Sequence, residues 1–427
     1  MFTAAFASLT KMNFNKLLSG NITKYQKEGF IMISVGIDVS KGKSTVCIMK
    51  PCGEILESPF DIGHTADELD SLISLIKSFD EETRVVMEDT GHYHLPVATY
   101  LSSHNIFVCC VNALRMKKFC SQSLRRAKTD KIDSIKIASF GITYWNELVK
   151  AYPSNVIYDE LKFLARQYYQ VTGMLVKSKV NFSNLLDQVM PKINDVLSNQ
   201  GENHKLTEFV SRYIHFQNIL DMGEMKFTSD YCKWAKKKGY RLNERKAAEI
   251  LALAQNGIPT LPNSQSVKIA VSEAVKLIHS IEESRNTILA QMQDLCNTLP
   301  EYSVVKEMDC IGDTLAPRII AEIGDVRRFK NKHSLIAYAG IDAPPYQSGA
   351  FHASERHISK RGNSYLRKTG YEIMQSLIKH KPADNAVYNF IQKKRSEGKC
   401  GKEAMIAGLN KFLRVYYGKV MEFYSEH

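Results

Sequence analysis

Apolar and polar positions alternate in short runs from residue 33 to about residue 141. Ile33–Asp38 is an apolar run of strand length, and Ser44–Lys50 is a second. Pro51-Cys52-Gly53 turns the chain toward a third at Glu54–Glu57. Between Asp67 and Phe79, Leu69, Leu72, Ile73 and Ile76 recur at i, i+3, i+4 and i+7, which predicts one helix face. Arg84–Glu88 reads as a strand ending on an acid, His94–His104 as a helix, Ile106–Val111 as a strand and Lys131–Phe140 as a helix. Beyond residue 150 the period changes. Leu161, Leu164, Tyr168, Val171, Leu175, Ser178, Phe182, Leu185 and Val189 keep a 3-4 spacing that Pro191 closes. Val267, Val271, Ala274, Ile278, Ile281, Arg285, Ile288, Met292 and Leu295 repeat it. Such runs fit an antiparallel coiled-coil arm, and equally two amphipathic helices packed on a globular core.

Three strands, then helix, strand, helix, strand, helix, is the order of the ribonuclease-H-like fold. A three-stranded meander is followed by parallel strands with crossover helices. The expected architecture is α/β plus α: a ribonuclease-H-like domain over 32–150, a helical coiled-coil and basic region over 151–298, and a mainly helical domain over 299–427. Residues 1–31 are expected to be a disordered leader, or an extension upstream of a native start at Met32. In the last domain, Ile311-Gly312-Asp313-Thr314 is a turn, Ala316, Ile319, Ile320 and Ile323 form an apolar face, and Gly324 ends the helix. This resembles a helix-hairpin-helix, with Asp313 where a second glycine is usual.

Four carboxylates stand out in the first domain. Asp38 closes the first strand and Glu88 the fourth, which are parallel neighbours in this fold, so both acids fall at strand carboxyl ends, where open α/β sheets gather their sites. Asp130 and Asp133 follow at i, i+3 on a helix start. Converging carboxylates repel each other, and hard divalent cations relieve that repulsion. Mg²⁺, or Mn²⁺, is the expected cofactor, suited to phosphoryl transfer. Taken singly, Asp130 could equally be a helix cap and Asp38 a polar strand end.

Charge and composition narrow the partner. The chain has 427 residues, 57 Lys and Arg against 45 Asp and Glu, and a net charge of +12, which favours a polyanion. With 44% hydrophobic residues it can bury several cores, which excludes collagen-like and wholly disordered classes. The nine cysteines form no C-x-x-C pair, which argues against zinc and disulfide scaffolds and fits a cytoplasmic setting. No apolar run approaches membrane-spanning length. The positive charge clusters in three places. Arg115, Lys117, Lys118, Arg125, Arg126 and Lys128 precede Asp130. Lys233, Trp234, Lys236, Lys237, Lys238, Tyr240, Arg241, Arg245 and Lys246 mix cations with aromatics, which suits phosphate contact plus base stacking and equally a solvated helix face. Arg356, His357, Lys360, Arg361, Arg367 and Lys368 form the third cluster, read as a DNA-backbone surface.

Gly36-Ile37-Asp38-Val39-Ser40-Lys41, then Glu88, then Lys128-Thr129-Asp130-Lys131-Ile132-Asp133, resembles the DEDD transposases of the "one-ten" insertion-sequence family, relatives of the Piv-type invertases. Ala321-Glu322-Ile323-Gly324-Asp325, Ala337-Tyr338-Ala339-Gly340, Ser348-Gly349, Ile358-Ser359-Lys360-Arg361-Gly362 and Leu366-Arg367 resemble that family's C-terminal transposase domain. The resemblance implies that the ribonuclease-H/RuvC-like domain over 32–150 is a nuclease, that Asp38, Glu88, Asp130 and Asp133 bind the metal and that Ser348 is a covalent nucleophile. It also implies DNA ends and target as substrate, a non-coding guide RNA, and a homo-oligomer, dimer to tetramer, that joins domains of different protomers. A RuvC-like junction endonuclease using water, and an inactive DNA- or RNA-binding protein, are the alternatives.

Overall fold

The computed structural model describes residues 32–89, 91–121, 129–151, 155–199, 204–241, 243–343 and 357–427, with the backbone of 347–348 and 351–352. The chain divides into two compact units, 1–154 and 155–427.

In the first unit β1 (Met32–Val39), β2 (Lys43–Met49) and β3 (Ile55–Gly63) precede α1 (Ala66–Lys77), β4 (Glu82–Asp89), α2 (His94–Ser103), β5 (Val108–Asn112), α3 (Ala113–Cys120) and α4 (Asp130–Thr143). The sheet order is β3-β2-β1-β4-β5. The first three strands pair antiparallel and β1-β4-β5 parallel, which is the meander and crossover arrangement expected from the pattern. Strand β3 runs six residues past its expected end at Glu57. Ser58-Pro59 looks like a breaker in sequence, but β3 is an edge strand, where a missing N–H is tolerated. Helix α3 was not anticipated, because only Met116 of its eight residues is buried.

One face of the sheet packs Ile33, Val35, Ile37, Val85 and Met87 against Leu69, Leu72 and Ile73 of α1 and Val97 and Leu101 of α2. The other face packs Val86, Cys109 and Val111 against Met116 of α3 and Ile137 and Phe140 of α4. Gly36 lets α4 lie directly on β1. A Cβ there would run into the Ala138 nitrogen and the Ser134 carbonyl oxygen.

The second unit is built on α5 (Val156–Val189) and, after α6 (Ile193–Val196), α7 (Lys205–Tyr213), α8 (Phe216–Met222), α9 (Glu224–Lys237) and α10 (Glu244–Asn256), on α11 (Gln265–Asn297). The two long helices pack antiparallel. Tyr158–Tyr169 of α5 shares one core with Met292 and Cys296, and Leu175–Val189 shares a second with Val267–Ile281. Lys179 Nζ meets Glu282 Oε1 at 2.7 Å between them. Ala165, Tyr169, Leu186, Val275 and Cys296 are buried beside the expected seam, so each buried face is wider than a coiled-coil seam. The extra width packs on the globular helices around the pair.

Helices α12 (Tyr302–Lys306), α13 (Gly312–Ile323) and α14 (Lys332–Ala339) follow, then the short strands β6 (Gln347–Ser348) and β7 (Phe351–His352) and helices α15 (Ser364–His380), α16 (Ala386–Ser396) and α17 (Gly401–Glu426). Ala316, Ile319, Ile320 and Ile323 are buried on α13, and Gly324 ends it at φ +66°, as the spacing predicts. Asp313 pairs with Lys306 at 2.5 Å across the turn. No helix among the described residues is long and apolar enough to cross a membrane. All nine cysteines are free thiols.

Candidate active site

Strand parity places the first two acids. Ile33, Val35 and Ile37 face α1 and α2, so Ser34, Gly36 and Asp38 face α4. In β4 the same parity sends Met87 one way and Val86 and Glu88 the other. Ile37 is opposite Met87, and Asp38 and Glu88 are the next residue of each strand. Both half-buried acids thus lie at the carboxyl end of neighbouring parallel strands, on the α4 face.

Helix α4 brings the other pair. Its Gly141 lies over Ser34, and its Ser134 and Ala138 lie over Gly36, so it runs antiparallel to β1. Rises of about 3.3 Å per strand residue and about 1.5 Å per helix residue make two strand positions equal to four or five helix positions. One more step brings the first turn of α4 level with Asp38. That turn holds Asp130, exposed, and Asp133, half-buried and 3.6 Å from Lys136 Nζ. Thr129 is the cap, its Oγ1 accepting from the Ile132 N–H at 3.2 Å, so Asp130 does not have that role.

Cys120, at the end of α3, senses three of the four acids. Burial pushes its thiol pKa up, Lys136 pulls it down, and Asp133, Glu88 and Asp38 each push it further up. Among the described residues no three His, Cys, Asp or Glu side chains close into a ready metal cluster.

A row across the sheet escaped the sequence reading. Asp38 is opposite Thr45, and Thr45 is opposite Asp61. Thr45 Oγ1 donates to Asp61 Oδ1 at 2.7 Å, and Lys43 Nζ lies 3.4 Å from Oδ2. The Thr45 hydrogen bond, with the charges of Lys43 and Lys131, holds the Asp61 carboxyl below the usual range. The parity of Thr45 was legible, but its partner depended on the register of the longer β3.

In the second unit, the Ser348 backbone lies in β6, paired antiparallel with Phe351 of β7. The ends of this segment are clamped. The Asn363 N–H donates to Tyr338 O at 2.7 Å, Lys360 N–H to Gly340 O at 2.9 Å, and Ser359 N–H to Asp342 O at 2.9 Å. A Cβ on Gly340 would stand 2.5 Å from the Gly362 nitrogen. Arg367 Nη1 donates to the carbonyls of Ala339 and Gly362 at 2.9 and 3.0 Å. Asn363 Oδ1 caps α15 by accepting from the Tyr365 and Leu366 N–H groups, and its Nδ2 donates to Glu322 Oε2 at 2.8 Å. Glu322 is buried and takes both ends of the Arg166 guanidinium, at 2.8 and 3.1 Å. Burial raises its carboxyl pKa against the pull of Arg166 and Asn363. Burial also pushes the Tyr338 phenol up, but Lys162, Arg328 and Asn363 together bring it below the ordinary tyrosine value. Glu322, Tyr338, Gly340, Gly362, Asn363 and Arg367, scattered in sequence, thus form one brace joining the two ends of the serine-bearing segment.

Lys360, at φ +52°, and Arg361 are exposed beside this brace. Lys236 and Lys237 are exposed at the end of α9. Of the aromatics near them, Trp234 is not available for stacking on bases. Trp234 is buried, with ring centroids 5.6 Å from Tyr231 and 5.4 Å from Tyr240, and the Tyr240 hydroxyl donates to Glu208. Helical parity turns the rings inward and the lysines outward. Arg125, Arg126, Lys128, Arg356 and the leader 1–31 lie outside the described residues.

Known proteins match at both ends of the chain. A transposase family model, of the DEDD IS110 type, matches residues 35–191. A second, described as "Transposase IS116/IS110/IS902 family", matches residues 302–389. An uncharacterised insertion-element IS110 protein of Streptomyces coelicolor is 21% identical over 299 residues, 70% of this chain and 72% of its own. An IS116 counterpart from Streptomyces clavuligerus is 22% identical over 378 residues, 88% of this chain and 91% of its own. The pilin gene-inverting protein of Moraxella bovis is 26% identical over 136 residues, 31% of this chain and 42% of its own. Among solved structures, T. thermophilus RuvC with a Holliday junction substrate aligns with 27% of this chain and 96% of its own, at 10% identity and a TM-score of 0.21, too slight to bear on the fold. The first family model covers Asp38, Glu88, Asp130 and Asp133, and the second covers Ser348 and its brace; matched in this order along one chain, they make the protein a member of the IS110/IS116 family of insertion-element transposases.

Proposed function

We propose that the protein cuts and rejoins DNA, with Asp38, Glu88, Asp130 and Asp133 as holders of Mg²⁺ or Mn²⁺ and Ser348 as the nucleophile. The observation that carries the reading is the meeting of Asp38 and Glu88 at adjacent strand ends under the first turn of α4. The donor set fits a hard cation. All four groups offer carboxylate oxygens, and the neighbouring Cys120 is kept protonated by its raised pKa, which removes a soft competitor. When bound, it supplies Lewis-acid charge at the reacting phosphate.

Ser348 Oγ would form a phosphorus–oxygen ester as one DNA ester bond breaks. The serine gives up its proton, and the departing sugar oxygen takes one. This exchange keeps the phosphodiester energy for rejoining, whereas attack by water discards it. The brace holding residues 338–342 against 359–363 fixes the ends of the serine segment, which suits a nucleophile that must be presented repeatably. From the family resemblance we extend the reading to a guide RNA, with Lys236 and Lys237 among its exposed contacts, and to a homo-oligomer in which acids and serine come from different protomers.

The test is to incubate the protein with element-end DNA, Mg²⁺ and any co-expressed non-coding RNA, then denature and look for a protein–DNA adduct. An adduct abolished by Ser348→Ala is expected. Free cut ends, unchanged in Ser348→Ala, would overturn the serine in favour of water. Salt-sensitive binding without any cleavage would overturn the enzyme reading itself.

A further inference from the structure

A cleft of about 1200 Å³ lies between α14 and α17. Residues on both sides of the serine-bearing segment, Ala343 before it and His357 after it, line this cleft. Five cations border it: Lys332, Lys399, Lys402, Lys411 and Arg414. No ion-pair partner is found for any of them among the described residues. The acids of the lining are Asp342, which accepts from Ser359 Oγ, and Glu403. Five cations against two acids, in a concave surface, focus a positive field.

The floor differs from the rim. Ile336 and Ile341 are buried there, Ile358 and Ile406 are partly buried, and Phe390 puts an aromatic ring in the wall with Lys411 Nζ 5.0 Å from its centroid. On α17, Lys402, Glu403, Ile406, Asn410 and Arg414 follow at spacings of one to four residues along one side of the helix. From Lys402 to Arg414 that side is about 18 Å long, about five steps of one nucleic-acid strand.

We infer that this cleft seats a single DNA strand, its phosphates on the cationic rim and its bases against the apolar floor, leading into the serine-bearing segment. A duplex offers mainly phosphates and would leave the floor unmatched, whereas an opened strand offers both chemistries. DNA is the occupant because Ala343 and His357, the residues that flank the Ser348 segment, both line the cleft, an assignment that rests on the reading of Ser348 given above. Lys399, Lys402, Lys411 and Arg414 lie past residue 389, where the second family match ends.

The test measures binding of the full chain to a fluorescent single-stranded DNA 20-mer of mixed sequence, in EDTA, across a salt series. An RNA of the same sequence is run in parallel. Chelation keeps cleavage out of the measurement, so the serine reading stands or falls separately on its adduct. Lys402→Glu/Lys411→Glu/Arg414→Glu should weaken DNA binding at least about tenfold and flatten the slope of log K against log salt by about two, from roughly 0.7 per strand phosphate. The single variants Lys402→Gln and Arg414→Gln should each flatten it by about 0.7, which decides the matter if the triple variant melts early. DNA binding and slope unchanged in the single variants would overturn the inference. Loss of RNA binding with DNA binding intact would also overturn it.

Discussion

At the scale of single residues, two carboxyl groups are held in opposite ways. Asp61 is kept below its usual pKa by Thr45 and Lys43. Glu322 is pushed above it by burial despite Arg166 and Asn363. A raised carboxyl binds its proton more readily in the folded chain than in the unfolded one. Its stabilising contribution is therefore full below the unfolded value of about 4.3 and is lost as pH rises through the folded value. Glu322→Gln removes this titration. The melting temperature of Glu322→Gln minus that of the wild type should rise between pH 4 and pH 7, read by calorimetry, and a difference that falls would contradict the burial assignment. Glu322, Tyr338 and Arg367 stood out in sequence as family-like positions. Their roles did not, because a brace made of partners tens to hundreds of residues apart has no local signature.

At the scale of elements, the α4–β1 contact sets the level of the acids. Gly36 has no room for a methyl group, since its neighbours are backbone atoms of α4 that can move only with the whole helix. Gly36→Ala should cost about 1–3 kcal/mol as an overpacked contact and lower the melting temperature. It should also weaken Mg²⁺-dependent cleavage more than DNA binding, because α4 carries Asp130 and Asp133. A variant that melts and cleaves like wild type would mean that α4 does not rest on Gly36. The strand and helix order of this unit was legible because period 2 and period 3.6 are local. The reach of β3 past Pro59 was not, since edge position is a property of the assembled sheet. The wide buried faces of α5 and α11 likewise come from helices distant in sequence.

At the scale of the whole molecule, charge and chemistry are divided between two units. The acids lie in the first, and Ser348, its brace and the cationic cleft lie in the second. The net charge of +12 pointed to a polyanion, but the cations of the cleft belong to no motif and emerged only when α14 and α17 were folded side by side. The cations that looked most suggestive in sequence, around Trp234, surround core aromatics. The central proposal is that covalent chemistry at the serine depends on the cation held by the acids. Its most direct measurement is the yield of covalent protein–DNA adduct from Asp38→Asn and Glu88→Gln, with Ser348 intact, Mg²⁺ present and DNA affinity measured alongside. The account predicts a fall of about 10²-fold or more, the scale of losing one electrostatic group from an active site, with DNA affinity retained. An adduct yield within a few-fold of wild type in either variant would contradict it.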